Sequence, residues 1–240
     1  MHNFSVITYN VRFNHALCDV PQIIKDHSPD VICLQEVALG KKHSYRELFP
    51  GYTLAATSNS FYRIGKTYGQ ANFYKTEKFY QVGSRGIYLP KTYYEVLLTT
   101  FTRKGPRTAL CTDLIFRDTF KTVSICNLHL TALVATNSAR NKQLSEALDE
   151  LDFMPDEPVV VLGDFNYPFR KRGLEKVMVE YGLSEATSNL TYTYTPLMKF
   201  IKERLKFDFV LYRCLQKAQS TLLDDYKKSD HYPVLTTFEI

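Results

Sequence analysis

Six apolar runs in this chain end in, or enclose, a carboxylate, an amide or an imidazole. VITYN ends at Asn10 and VICLQE at Glu36, and VSICNLHL carries Asn127 and His129. VVVLGDFN delivers Asp164 and Asn166, KFDFVL holds Asp208 between two phenylalanines, and SDHYPV supplies Asp230 and His231. A buried strand carries polar groups at its end only where a partner, water or a ligand satisfies them. Six such ends in one chain point to convergence on a shared pocket. Each residue also has a plainer use. Asn10 and Asn166 suit turns, Asp164 and Asp230 suit Asx turns, Glu36 suits an ion pair with a nearby lysine, and a strand histidine such as His129 is more often satisfied than catalytic. Asp208 is the least easily explained away, because a carboxylate inside an apolar strand needs a partner. The ordered recurrence carries more weight than any single position.

The chemistry open to such a set is narrow. It is rich in oxygen donors and has no cysteine or paired-histidine spacing of the zinc type. Hard oxygen ligands with one or two carboxylates on the ion suit Mg²⁺, with Mn²⁺ as a substitute, and such ions also bind substrate phosphate. The remaining polar groups can orient a water nucleophile and stabilise charge on a transferring phosphoryl group. Other catalytic signatures are missing from the sequence: there is no P-loop, no G-x-G-x-x-G, no G-x-S-x-G and no H-E-x-x-H.

The elements that must position these groups are mostly strands. FSVITYN, DVICLQE, YTLAAT, QANFYKT, TALCTDLIF, TVSICNLHL, PVVVLGDFN, KFDFVLY and PVLTTFEI are short, β-branched or aromatic, and bounded by turn residues. Three helices are expected. The first is capped by Asp19 with Pro21 in its first turn and ends at Ser28-Pro29. The second spans about Ser138 to Asp152, with Leu144, Ala147, Leu148 and Leu151 on one face. The third spans about Arg170 to Tyr181 and stops at Gly182. SNSFYRIGKTYG, Ser58 to Gly69, reads as a long polar loop. No repeat, low-complexity tract or linker interrupts the chain, so residues 1–240 are expected to form a single α/β domain.

Composition sets the outer bounds. The chain has 240 residues with 45% hydrophobic and 23% charged residues, ordinary for a globular protein. It holds no apolar run of the roughly 20 residues that a membrane span needs, so integral membrane association is not expected. Five cysteines, with Cys33 and Cys126 inside apolar runs, read as reduced, buried thiols; with no signal peptide evident at the start, this places the protein in the cytoplasm. A net charge of +5 suits an anionic partner such as nucleic acid, a phosphorylated metabolite or an anionic membrane surface. Arg170, Lys171 and Arg172 follow GDFN with Phe165, Tyr167 and Phe169 interleaved, and Lys199, Lys202, Arg204 and Lys206 precede the Asp208 strand. These are either a phosphate-tracking rim with stacking platforms or a solvated face.

TYNVR, LQEV, NLHL, GDFN, KFDFVL and SDHYPV, in that order over essentially the whole chain, resemble the endonuclease/exonuclease/phosphatase superfamily, the DNase I-like fold. The resemblance implies a four-layer α/β sandwich, two mixed sheets face to face with helices outside. It implies that Glu36 binds Mg²⁺ directly, with Asn10 beside it and Asp230 nearby through water. Asp164 would orient or deprotonate the attacking water, and Asn166 would hold that arrangement and contact phosphate. His231 would face the scissile phosphate, buttressed by Asp208, while His129 and Asn127 contribute phosphate contacts; Arg170 and Arg172 are placed with them as further phosphate contacts. Val37-Ala38 after Glu36 departs from the Thr-Lys of the AP endonucleases, and the absence of Trp departs from the inositol polyphosphate 5-phosphatases. LQEV, the spacing of Arg140 and Gln143 after NLHL, and RLKFDFVLYR look like the tyrosyl-DNA phosphodiesterase branch, although Thr131-Ala132-Leu133 and Tyr232-Pro233 depart from it. The SDHYPV ending is similar to bacterial sphingomyelinases. The expected activity is therefore Mg²⁺-dependent hydrolysis of nucleic-acid phosphodiesters by in-line attack of water, on DNA more than RNA, by a monomer. The alternatives are a phosphoesterase on a phospholipid headgroup or small phosphate ester, and, last, a non-catalytic binding module of the same fold.

Overall fold

The computed structural model describes residues 3–40, 45, 49–63, 65–91, 107–132, 135–196 and 203–240. Its central strands are buried on both faces. In β1 (Asn3–Asn10) Phe4 and Val6 join one core while Ile7 and Tyr9 join another, and β2 (Val31–Ala38) repeats the alternation with Val31 and Cys33 against Ile32 and Leu34. This explains the continuous apolar runs: a strand sandwiched between two layers has no face left for polar residues, except at its ends.

Ten further strands follow: β3 (Tyr52–Arg63), β4 (Lys66–Lys75), β5 (Phe79–Tyr88), β6 (Thr108–Phe116), β7 (Thr122–His129), β8 (Val159–Asp164), β9 (Ser184–Glu185), β10 (Asp208–Arg213), β11 (Gln216–Leu222) and β12 (Val234–Glu239). They form two six-stranded sheets, ordered β11-β12-β1-β2-β4-β3 and β5-β6-β7-β8-β10-β9. Both are mixed, since β1–β2 and β7–β8 are parallel and the other pairs are antiparallel. Phe4, Val6, Val31 and Cys33 of the first sheet pack on Leu114, Ile125, Val160, Leu162 and Val210 of the second. On the outer face of the first sheet lies α1 (Val20–His27), through Val20 and Ile23. The second sheet is covered by α2 (Asn137–Leu151), through Leu144, Ala147, Leu148 and Leu151, and by α3 (Arg172–Glu180), through Leu174 and Val177. The result is the helix–sheet–sheet–helix sandwich expected from the sequence. Among the described residues, no helix is long and apolar enough to cross a membrane.

A polar seam runs through the apolar space between the sheets. Gln35 Nε2 donates to Thr8 Oγ1 (3.0 Å) and to Asn127 Oδ1 (2.8 Å), and Asn127 Nδ2 donates to Leu34 O (3.1 Å) and Asn72 Oδ1 (2.9 Å). Asn72 Nδ2 continues the chain to Thr112 Oγ1 at 3.0 Å. Amides bonded in this way fix the register of one sheet over the other, which apolar packing alone leaves loose. Asn127→Ala is expected to lower stability by about 3 kcal/mol, because it strips partners from buried acceptors of Leu34 and Asn72. Chemical denaturation of the two proteins checks this, and an unchanged midpoint contradicts it.

Three expectations are corrected. The segment Ser58 to Gly69 is not a loop but the strand-paired inner part of the β3–β4 hairpin, with Ser58 opposite Gln70 and Asn59 opposite Gly69. Its polar residues suit a strand because the Ser58 and Ser60 hydroxyls both donate to Gln70 Oε1 (2.6 and 3.4 Å). Gly69 is required there, since a Cβ would lie 1.7 Å from Ser58 O. Cys126 is not a free thiol but joined to Cys111 on the neighbouring strand, where the register sets the two directly opposite, while Cys33 is free and buried. Asp19 does not cap α1 with its side chain; it accepts from Tyr9 Oη (3.2 Å) and pairs with Lys228 (3.0 Å) instead.

Candidate active site

Three neighbouring strands of the second sheet bring their polar residues into one row. His129, at the end of β7, lies opposite Asp164 of β8, and Asp208, at the start of antiparallel β10, lies opposite the same Asp164. Directly paired residues share a sheet face, so strand register alone sets the three side chains side by side. Gly163 permits this register: its φ is +135°, and a Cβ would lie 2.0 Å from Leu128 O on β7.

Asp164 is held from both sheets. Its Oδ1 accepts from the Asn166 amide (2.9 Å) and its Oδ2 from Asn10 Nδ2 (3.1 Å), at the end of β1. Asn166 sits in the left-handed region (φ 51°) and donates its own Nδ2 to Leu130 O at 3.2 Å. His231 enters from the turn before β12. Ser229 Oγ donates to Asn10 O (2.7 Å) and accepts from the His231 amide (3.1 Å), tying that turn to β1. His231 Nδ1 meets Asp208 Oδ2 at 2.8 Å, and its Nε2 lies 3.7 Å from Asp164 Oδ2. Tyr194 and Phe207 pack on the ring, with centroids 4.9 and 6.0 Å away. The mid-strand carboxylate that looked odd in the sequence thus has its partner.

Glu36 reaches the same place by a break in its strand. The β2–β4 register shifts between Leu34 and Val37, and Glu36 takes φ +59°. A bulge re-aims a side chain that regular alternation would direct elsewhere, and a left-handed non-glycine residue costs of order 1–3 kcal/mol. The Glu36 carboxylate accepts from the Phe13 amide (3.2 Å) and lies 3.9 Å from His129 Nε2. Asp230 faces Arg12, with Nε to Oδ2 at 3.8 Å.

Burial sets the electrostatics. It pushes the Glu36 carboxyl up to about 7, opposed by His231 and reinforced by Asp164 and Asp230. Asp164 is likewise raised, by burial first, with both histidines opposing. Burial pulls His129 down to about 3, so it is a neutral imidazole at physiological pH despite Asp164 beside it. For His231, burial also works against the charged form, but Asp208, Asp164 and the hydrogen bond to Asp208 outweigh it and hold the imidazole above its usual range. Neighbouring titratable groups pushed in opposite directions are the raw material of acid–base chemistry.

The donor set suits a hard divalent cation. Burial, Asp164 and Asp230 raise the Glu36 carboxyl, and burial raises Asp164, so a dication there offsets charge that the protein otherwise suppresses. All the ligand atoms available are carboxylate or amide oxygens and imidazole nitrogens, with no thiolate. Asp164, Asp208 and His231 also offer ligand atoms within 4.8 Å of one another, yet His231 Nδ1 is engaged by Asp208. Glu36, with Asn10 and Asp230, offers a second group of oxygen donors that could hold such an ion.

The structure brings together Asn10, Glu36, His129, Asp164, Asn166, Asp208, Asp230 and His231. It does not bring Asn127, whose amide is fully buried and spent in the seam between the sheets; it shares a face of β7 with His129, but one step further from the strand end, where Gln35, Leu34 O and Asn72 engage its amide. Arg172 lines a shallow groove on the exposed side of α3 with Glu175, Lys176, Val179 and Glu180, and Arg170 is exposed just before that helix with φ 56°; among the described residues neither side chain makes a hydrogen bond or ion pair with a residue of the site. Phe165 and Tyr167 are core residues beneath α2 and α3 rather than stacking platforms, whereas Phe169 is exposed. Lys206 is buried against Glu185 and Thr187. Arg204 stacks over Tyr192 (4.4 Å), which meets Tyr232 edge-on. Lys199 and Lys202 lie outside the described residues. Sequence reading passed over Arg12, Tyr194 and Ser229. Two of these sit inside quoted motifs, TYNVR and SDH, where the neighbouring residue drew the attention.

Two facing mixed sheets with carboxylates, amides and imidazoles gathered at strand ends define the DNase I-like class of α/β proteins. The chain belongs to the Endonuclease/Exonuclease/phosphatase family, whose sequence profile matches residues 7–231; members of that family are hydrolases that include phosphatases and nucleases. No curated protein sequence matches it. Among solved structures it is similar to the human Nocturnin catalytic domain with bound sulfate anion, at 19% identity and TM-score 0.76, covering 99% of this chain and 94% of that one. It is similar to Danio rerio TDP2 complexed with single strand DNA product, at 17% identity and TM-score 0.76 with 100% of both chains covered. It is also similar to a mannosyl-6-phosphatase of Bacteroides thetaiotaomicron, at 20% identity and TM-score 0.72, covering 99% of this chain and 100% of that one.

Proposed function

We propose that the protein is a Mg²⁺-dependent phosphodiesterase that hydrolyses nucleic-acid phosphodiester bonds, DNA in preference to RNA. The observation that carries this reading is His231, fixed through Nδ1 to Asp208 and turned through Nε2 toward Asp164, with Glu36 beyond. In this reading Asp164, oriented by Asn10 and the Asn166 amide, positions the attacking water and takes its proton. His231, kept cationic by Asp208, meets the charge that develops on the phosphoryl oxygens, and neutral His129 and Asn166 contact phosphate. Glu36, Asn10 and Asp230 would hold the ion, which when bound polarises the phosphoryl group and neutralises negative charge. The net charge of +5, the Arg204–Tyr192–Tyr232 stack beside His231 and the likeness to a TDP2 structure with single strand DNA product support nucleic acid as substrate.

A second reading is hydrolysis of a small phosphate ester. It is favoured by the burial of Lys206 and the position of Arg172 on the outer face of α3, which shorten any backbone-tracking rim, and by the likeness to a mannosyl-6-phosphatase. A panel of single-stranded, duplex, abasic and 5′-tyrosyl oligonucleotides, with a sugar phosphate alongside, separates the two. Cleavage of an oligonucleotide is expected with Mg²⁺ and is lost in chelator, and Glu36→Ala lowers it by at least about 100-fold. Turnover of the sugar phosphate alone selects the second reading, and folded protein that leaves every substrate intact overturns both.

A further inference from the structure

The chain between β1 and α1 is bent in an unusual way. Arg12, Phe13 and Asn14 take φ values of 44°, 54° and 70° in succession, and none is glycine. L-residues avoid this region, and consecutive occupants are rare. The turn is held from several sides by the candidate site itself. The Arg12 amide donates to Asn10 Oδ1 (3.0 Å), the Phe13 amide to the Glu36 carboxylate (3.2 Å), and Asn14 Oδ1 accepts from the Ala38 amide (2.9 Å). Strain of this kind persists only where the surroundings over-determine it. It places one permanently charged side chain. The Arg12 side chain is 37% exposed, and its Nε lies 3.8 Å from Asp230 Oδ2. That contact is long for a charge-assisted hydrogen bond, and among the described residues the two terminal nitrogens of Arg12 make no hydrogen bond.

We propose that Arg12 is a phosphate-binding residue, its terminal guanidinium nitrogens gripping non-bridging oxygens of the phosphoryl group that His231 and Asp164 act upon. This rests on the function proposed above and adds to it a cation supplied by the protein. A guanidinium presents two parallel donors that match two oxygens of a tetrahedral phosphate. Asp230 orients the fork from behind through Nε, and the left-handed turn couples Arg12 rigidly to Glu36 and Asn10. Phosphate charge is then met from two sides, by Arg12 at the mouth and by His231 within.

Calorimetric titration with inorganic phosphate in the presence of Mg²⁺ tests the assignment without requiring turnover. Arg12→Gln is expected to weaken phosphate binding at least about ten-fold, and Arg12→Lys to recover part of the loss as a point charge without the fork. The same substitution in an Asp230→Asn background separates the alternatives. A direct ligand loses affinity there as well, whereas a residue that merely props Asp230 has no further effect. Phosphate binding equal in wild type and Arg12→Gln, an effect that vanishes in the Asp230→Asn background, or no phosphate binding by wild type each overturns the proposal. Failure of the oligonucleotide and sugar-phosphate panel bears instead on the function itself, so the two results are read independently.

Discussion

Replacing Asp164 with Asn, or His231 with Ala, is expected to lower kcat by about 10³–10⁴-fold with the fold retained. Asp164→Asn keeps the side-chain shape and an acceptor for Asn10 Nδ2 or the Asn166 amide, but removes the charge and the basicity that the proposed attack needs. It also withdraws one of the carboxylates that keep His231 protonated. The loss therefore falls on two groups at once, and the double variant is expected to be little worse than either single one, as in other sets of residues that act as a unit. His231→Ala carries a second consequence, since it leaves Asp208 as a buried carboxylate without its imidazole partner. Some loss of stability accompanies the loss of turnover in that variant, which makes Asp164→Asn the cleaner test. Steady-state kinetics on the best substrate of the panel, with circular dichroism to confirm folding, decide the matter. Undiminished turnover in both variants would falsify the assignment of this cluster as the reaction centre.

Gly163→Ala is expected to be among the most damaging single-methyl changes the chain can suffer. The added carbon falls 2.0 Å from Leu128 O and 2.9 Å from the Leu128 backbone nitrogen and carbonyl carbon. These are atoms of a paired strand, not the end of a flexible side chain, so β7 and β8 must separate. The φ of +135° adds backbone strain for any residue with a Cβ. Together these cost about 4 kcal/mol, about 10 °C in Tm for a chain of this length. The effect reaches past stability. Leu128 and Gly163 are register partners immediately before His129 and Asp164, so splaying them separates the two residues that β-pairing brings together. Thermal denaturation and turnover are expected to fall together, and a melting temperature within about 2 °C of wild type contradicts the argument.

Some of this molecule is legible in one dimension. Strands buried on both faces write themselves as unbroken apolar runs, so β1, β2, β6, β7, β8 and β10 were visible, and a polar residue at the end of such a run is conspicuous because its neighbours leave it no solvent. Most of the site is made of such residues. Helices with a single apolar stripe, such as α2, announce their period equally well. Elements whose burial depends on a distant partner were not visible. β11, with its sequence QKAQSTL, and β5 carry little apolar pattern because each lies at a sheet edge and is half solvated. The inner part of the β3–β4 hairpin, Ser58 to Gly69, read as a loop because its serines look solvated until Gln70 is known to lie opposite them.

The chain alone thus determined a strand-rich α/β domain and the residue types available for phosphate chemistry, because periodicity and strand-end polarity are local properties, and its ordered motifs carried the resemblance that implied the sandwich and the family. Only the tertiary structure decided which of those polar residues share a space. Asn127 and His129 are two positions apart and so share one face of the strand, yet Asn127 is locked into the seam between the sheets by Gln35 and Asn72, while His129, at the strand end, faces Asp164. Glu36 enters the site through a bulge, and Arg12 through a left-handed turn braced by Asn10 and Glu36. Both are breaks in regular structure that the surrounding packing imposes, and for that reason no local pattern foretells them.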